Sequence, residues 1–408
     1  MIDRSIEHGW LLELTQIPTA AGREHRVARW VERWAADRPE ILLRRDAAGN
    51  LELRLASSDS LAPPIYFTAH MDHPAFVVDE VLPNGSLALE FRGGVMADYF
   101  INARVSLHPK AGPPIAARLL GQHAGPRALY LAQPDAPSDS PPPAMHPAAA
   151  IRKGDIATWE LPPARIEDGL IHTHACDDLA ALAAALAAFD RLRLERTRNS
   201  ESAGGGGEQA ARHDVRVLLT RAEEIGFIGA IAACRDGTIP PGSRILALEN
   251  SRSFPDSPIG GGPIVRVGDR LSVFSPALTA AVAQRAEEAF GGPASPTASQ
   301  KLPTAARPWQ RKLMSGGACE ATVFCDFGFQ ATCLCLALGN YHNMADLANV
   351  QAGTNTAPAR VGHEFVSIAD FDGLVDLLVA CGERLPPAPS ARPLIDKLWN
   401  QKHGVLGE

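Results

Sequence analysis

Thr220-Arg221-Ala222-Glu223-Glu224-Ile225-Gly226-Phe227-Ile228-Gly229-Ala230 is the stretch on which the reading of this chain turns. It follows a mostly apolar run, residues 215–219, that reads as a buried strand. It leads into a small-residue segment, residues 228–234, that reads as a helix. Two adjacent carboxylates therefore sit at the carboxyl end of a strand, where open α/β sheets place their ligands. Adjacent side chains point different ways, so one can hold a metal ion while the other handles a proton. Taken alone, the pair reads more readily as a solvated helix start, where negative charge suits the helix dipole. Its neighbours in the fold decide between the two.

The 408 residues suggest about two domains. Hydrophobic content of 46% with 21% charged residues is that of a globular protein with a large core. A formal net charge of −7 argues against a nucleic-acid partner, which needs clustered Lys and Arg. The seven Cys form no C-x-x-C pair, and five lie in apolar or small-residue segments, as expected of reduced thiols in the cytoplasm. Met1-Ile2-Asp3-Arg4-Ser5 opens no basic-then-apolar signal, and no apolar run approaches the roughly 18 residues of a membrane span. A cytoplasmic protein with no membrane partner is the expectation.

Two helical stripes open the chain, Trp10, Leu11, Leu14 and Ile17, then Val27, Trp30, Val31 and Trp34. Residues 42–46 and 51–55 flank Gly49-Asn50 and read as a hairpin. Residues 65–69 are a central strand ending in His70-Met71-Asp72. From 74 to about 166 the texture changes to short strands with close turns and no helix pattern, which predicts a small β-barrel or sandwich. Gln133 to Ala150 reads as an exposed or partly disordered loop, and Thr197 to Arg212 as a flexible polar one. The α/β texture resumes at Ala175-Cys176-Asp177-Asp178, continues through strands at 245–248 and 331–338, and closes with a helix over 371–385. The division is 1–73 and 167–408 as one α/β unit, with 74–166 inserted into it.

His70, Asp72, Asp177, Glu223, Glu224, Glu249 and His342 each fall at a strand end or before a helix. In a mostly parallel sheet those ends share one edge, so residues far apart in sequence converge there. Two His with several carboxylates and no Cys suit Zn²⁺, Co²⁺ or Mn²⁺. One catalytic zinc keeps about three protein ligands, so this surplus suits two ions sharing a carboxylate. His70 and Asp72, at i and i+2 of an extended segment, share a face, and Asp72 is placed to accept the other ring N–H of His70. Each piece has a plainer reading: an exposed His-x-Asp triplet, a solvated loop His, an Asp N-cap. Spacing leaves Asp177 and Asp178 equivalent. Gly260-Gly261-Gly262 is followed by a strand rather than a helix, which argues against a phosphate loop.

In this order the residues resemble the co-catalytic two-metal aminopeptidases of the TET (tetrahedral) glutamyl/leucyl aminopeptidase type, along nearly the whole chain. Asp46-Ala47-Ala48-Gly49-Asn50-Leu51 is similar to that family's D-x-x-G-N-L hairpin, and His70-Met71-Asp72 to its first metal motif. Asp177-Asp178, Glu223-Glu224 with its Gly-x-x-Gly-Ala tail, Ala247-Leu248-Glu249, Gly261-Gly262-Pro263 and Tyr341-His342 follow in sequence. The resemblance implies a zinc-exopeptidase-like α/β fold, a mostly parallel sheet flanked by helices with an inserted small β-barrel. It implies that His70, Asp177, Glu224, Glu249 and His342 are metal ligands, with Asp177 shared by both ions. Glu223 would be the general base on a metal-bridging water, and Asp72 would orient His70. The family commonly has Glu-Ile-Gly where His73-Pro74-Ala75 stands here, often Asp where Glu249 stands, and Thr-Asp-Ala near Cys319-Glu320-Ala321.

The expected function is a two-metal aminopeptidase acting on short peptides, with Zn²⁺ as the leading metal, Co²⁺ or Mn²⁺ as alternatives, and a homo-oligomeric state implied by the resemblance. A carboxypeptidase or N-acyl-amino-acid deacylase would share the metal centre. A non-catalytic metal-binding scaffold is the rival from another class.

Overall fold

The computed structural model describes residues 4–56, 63–123, 128–135, 150–202, 213–292, 307–387 and 390–407. An eight-stranded sheet runs in the order Ile41–Arg45, Leu51–Leu55, Val215–Thr220, Ile65–His70, Arg244–Arg252, Gln330–Leu338, Ile264–Gly268, Gln310–Leu313. Its four central strands are parallel. Antiparallel pairings bring in Leu51–Leu55 on one side and Ile264–Gly268 on the other. The expected hairpin forms, with Arg45 opposite Leu51 and Ile41 opposite Leu55. The sheet is therefore mixed, parallel where it is most buried.

Alternation along the strands divides the core. Ile65, Phe67 and Ala69 join Val217, Leu219, Leu246 and Leu334 on one face, against helices Leu179–Ser202, Pro276–Phe290 and Ile368–Glu383. Tyr66 joins Leu218, Ile245, Ala247 and Cys333 on the other, against helices Ile228–Arg235 and Glu320–Asp326. Covered on both faces, such strands become the short continuous apolar runs seen in the sequence. The helix Leu179–Ser202 is wholly buried from Leu179 to Phe189. Its alanines favour helix and let it lie close to the sheet. This helix also takes in residues 197–202, which the sequence reading had assigned to a polar loop. Residues 203–212 and most of the 133–150 stretch lie outside the described residues.

A closed six-stranded barrel follows the strand Ile65–His70, in the order Ala75–Val81, Leu87–Arg92, Leu129–Pro134, Ile115–His123, Arg104–His108, Ile156–Trp159. Phe76, Phe91, Phe100, Tyr130 and Trp159 fill it, with the Phe100 and Tyr130 rings stacked 4.2 Å apart. Fully burying a side chain such as Phe76 contributes about 1.5–3 kcal/mol, so this aromatic cluster is a core in its own right. Several elements were not anticipated, among them the strand Gln310–Leu313 and the helices Glu320–Asp326 and Leu347–Ala352. A three-stranded sheet joins Arg165–Glu167, Leu170–Thr173 and Glu364–Ser367, and a helix Arg392–Lys402 lies beyond the closing helix. Among the described residues, no helix is long and apolar enough to cross a membrane.

Candidate metal centre

The stretch 220–230 forms a tight loop at the end of the strand Val215–Thr220. Gly229 N–H donates to the Arg221 carbonyl at 2.8 Å, closing it. A Cβ on Gly229 would sit 2.4 Å from the Arg221 nitrogen, so only glycine fits there. The loop is held from outside by the Gly49-Asn50 hairpin turn. Asn50 accepts from Arg221 N–H at 3.1 Å and donates to the Gly229 carbonyl at 3.0 Å. Glu24, 1% exposed, accepts from Ala222 N–H and from the Arg221 guanidinium. Asp72 completes the support, accepting from Glu223 N–H and Glu224 N–H at 3.0 Å each. The acidic pair is thus fixed by the main chain, with both side chains free to face inward.

All seven sequence-predicted site residues meet at this edge. Pairing of Ala247 with Thr68 places Glu249 beside His70 on one face of the sheet. His70 Nε2 lies 3.4 Å from Asp177 Oδ1, 3.9 Å from Glu249 Oε1 and 3.9 Å from Glu223 Oε2. His342 Nε2 lies 3.4 Å from Asp177 Oδ2 and 3.4 Å from Glu224 Oε1. Donor atoms within 4.8 Å of one another form three groups: His70, Asp177, Asp178 and Glu249; His70, Glu223 and Glu224; Asp177, Glu224 and His342. Asp177 belongs to two of them. Asp178 has both oxygens engaged, one accepting from His70 N–H and the other from the Asn250 amide. The expected contact of the His70 ring with the Asp72 carboxylate is a long one, Nδ1 lying 3.6 Å from Oδ1. His70 Nδ1 makes its shorter bond to the Asp72 main-chain oxygen at 3.1 Å, while the two carboxylate oxygens accept from Glu223 N–H and Glu224 N–H.

The electrostatics are those of a site suited to cations. Burial works against the His342 imidazolium, yet Glu224 and Asp177 push its pKa up to about 10. His70 is likewise raised well above its usual value, because the carboxylates around it, Glu223 first, outweigh burial. Burial and the neighbouring Asp177 push Glu224 up to about 8. Burial also holds Glu223 well above the carboxylate range, with Glu249 and Glu224 adding to it. Asp177 alone goes down, its burial overcome by His342 and His70. Asp177 Oδ1 and Glu224 Oε1 are buried and accept no hydrogen bond. Buried carboxylate oxygens without donors are costly, and divalent ions in nitrogen and oxygen coordination satisfy them. The residues fit the metal that the resemblance implies.

Sequence reading missed the groups that hold this arrangement. Glu364, fully buried, accepts from Cys176 N–H and Asp177 N–H with one oxygen and from His342 N–H with the other, at 2.7, 3.0 and 2.8 Å. Asn250 donates to Asp178 and to the Cys176 carbonyl. The barrel takes part too: His342 Nδ1 donates to the Gly94 carbonyl at 2.6 Å, leaving Nε2 toward the acidic groups. Gly260 and Gly262 spend their N–H groups on Asp370, which closes the phosphate-loop reading. A cavity of about 220 Å³ opens onto the centre, lined also by Ser251, Arg252, Phe254, Arg266, Met314 and Met344.

A sequence model of the family described as M42 glutamyl aminopeptidase matches residues 49–124. No curated protein matches the chain. The structure of the TET1 peptidase of Pyrococcus horikoshii aligns with a TM-score of 0.67 at 18% identity, covering 93% of this chain and 100% of that one. The chain resembles the M42/TET-type peptidases. A TET aminopeptidase from a marine-sediment Thaumarchaeota archaeon aligns at 0.69 with 16% identity, over 93% of this chain and 98% of its own. An aminopeptidase from Desulfurococcus kamchatkensis gives 0.68 at 18% identity, over 93% and 95%. At these identities the likeness to the TET structures is one of fold. The M42 match takes in His70, Asp72 and the first strands of the barrel, where sheet and insert join.

Proposed function

We propose that the chain is a metal-dependent aminopeptidase that removes N-terminal residues from short peptides. The observation that carries this is the sharing of Asp177 between the His70–Glu249 group and the Glu224–His342 group. The M42 match and the names of the TET aminopeptidases of like fold support the peptidase reading. His70, Asp177 and Glu249 would hold one ion, and Asp177, Glu224 and His342 the other, with Zn²⁺ the first choice and Co²⁺ or Mn²⁺ the alternatives. When bound, such ions would lower the pKa of the attacking water and polarise the scissile carbonyl. Glu223 takes the proton of the attacking water and returns it to the leaving amine nitrogen. Asp72 keeps Glu223 and Glu224 in place through their N–H groups. Residues 1–73 and 167–408 form the catalytic domain of this proposal, with 74–166 inserted. The seven free thiols support a reducing, cytoplasmic location. Relatives of like fold are described as a dodecamer and as a tetrahedron or octahedral shell, which supports a homo-oligomer.

One observation favours the rival carboxypeptidase or deacylase. Arg266 is 2% exposed and lines the same cavity; its guanidinium donates to the Ser251 hydroxyl at 3.1 Å, while its Nε has no partner. A buried guanidinium so placed suits a substrate carboxylate. A panel of aminoacyl arylamides, free dipeptides and N-acyl amino acids, run beside elemental analysis, separates the two. The aminopeptidase reading expects about two metal equivalents and cleavage of substrates with a free α-amine. Turnover confined to N-acyl amino acids would establish the rival.

A further inference from the structure

His73 stands where the resembling family commonly has Glu, and the proposed chemistry gives it no part. The ring is 5% exposed. Its Nδ1 donates to the main-chain oxygen of Asp177 at 2.5 Å, and its Nε2 packs 3.0 Å from Asn343 Oδ1, an oxygen with no hydrogen to give. Asn343 donates its amide hydrogens to the carbonyls of His174 and Gly362, at 2.8 and 3.1 Å, which turns its oxygen toward the ring. The His73 and His342 rings also meet edge to face, with centroids 6.4 Å apart. One imidazole thus touches the main chain of Asp177, the residue after His342, and the His342 ring. Glu364 holds the same two segments by their N–H groups. His73 holds Asp177 by its carbonyl, so the peptide units on both sides of that residue are pinned.

We propose that His73 is a positioning residue that fixes the Asp177 main chain relative to the turn carrying His342. It thereby bears more on the half-site of Asp177, Glu224 and His342 than on that of His70, Asp177 and Glu249, because the ring touches two members of the first and one of the second. The inference rests on the two-ion reading proposed above. The physical basis is that a metal ligand displaced by a few tenths of an ångström loses affinity, and removing a group that orients ligands typically costs about 10–100-fold.

Titration of metal-free full-length protein with Co²⁺, followed by calorimetry and by visible absorption, tests this. In His73→Ala one equivalent should weaken by about 10–100-fold and the other by clearly less, since Asp177 serves both. His73→Phe keeps the ring volume without the N–H, and should show the same selective loss. His73→Gln restores a donor and should recover most of the affinity. Both equivalents keeping wild-type affinity in the Ala and Phe variants overturns the proposal. So does equal weakening of both, the result of a general loosening of the fold. A wild-type protein that binds only one equivalent removes the two-ion reading itself, and this inference with it.

Discussion

Asp72 divides its carboxylate between neighbours, one oxygen accepting from Glu223 N–H and the other from Glu224 N–H, both at 3.0 Å. An amide at this position keeps one acceptor and presents a donor to the other N–H. Asp72→Asn should therefore lower kcat/KM by about 10–100-fold through misplacement of the acidic pair, and weaken binding of the ion that Glu224 would hold. Unaltered kinetics in that variant would mean that the loop holds its shape without Asp72.

Glu223 is buried, which pushes its carboxyl well above the usual range, while Glu224 faces His342 at 3.4 Å. Glu223→Gln preserves the size of the side chain and removes its basicity. Hydrolysis should fall by about 10²–10⁴-fold while elemental analysis still finds both metals. Near-normal turnover would assign the proton to another group.

Metal uptake should release protons and tighten as pH rises. His342, pushed up to about 10, holds a proton at neutral pH in the metal-free protein, and a metal binds only the neutral ring. Adding Zn²⁺ to weakly buffered metal-free protein should acidify the solution, and apparent affinity should increase from pH 6 to pH 8. His342→Ala should reduce both the proton yield and the stoichiometry. A pH-independent affinity would contradict this electrostatic picture.

Acid stability should depend on Asp376, far from the metal site. Arg4 and Arg191 each approach its carboxylate to 2.9 Å and Arg307 to 2.6 Å, tying the first helix to the closing one. Burial would raise the Asp376 pKa, but the arginines, Arg307 first, outweigh it and hold it down. A carboxylate depressed in the folded state adds stability above its unfolded pKa of about 4, and that stability is lost as pH falls toward the folded value. Asp376→Asn should cost about 1–3 kcal/mol at pH 7 in denaturant titrations. The gap between variant and wild type should narrow as the pH is taken below about 4.

The order of strand ends was legible because a strand covered on both faces must be apolar. A polar residue at its end, such as His70 or Glu249, then stands out. The Gly-x-x-Gly-Ala tail after Glu224 was legible for a steric reason, the lack of room for a Cβ at Gly229. Glu364 was not legible. It lies in Gly362-His363-Glu364-Phe365, which has no periodicity, and it gains its role by pairing Glu364–Ser367 with Leu170–Thr173, almost 200 residues earlier. Glu24 was hidden similarly, since a carboxylate before a helix reads as a cap. The helix Arg392–Lys402 does carry a signal in the sequence, Leu394, Ile395, Leu398 and Trp399 at helical spacing.

The hydrogen bond from His342 to Gly94 has a consequence for how the molecule could change over time. The barrel supplies a carbonyl that anchors the His342 ring through Nδ1, so trimming, swapping or re-angling the insert would move that ring. Any surface the barrel offers to a neighbouring copy is connected by a few bonds to the chemistry. Selection acting on assembly and selection acting on turnover meet at one main-chain oxygen.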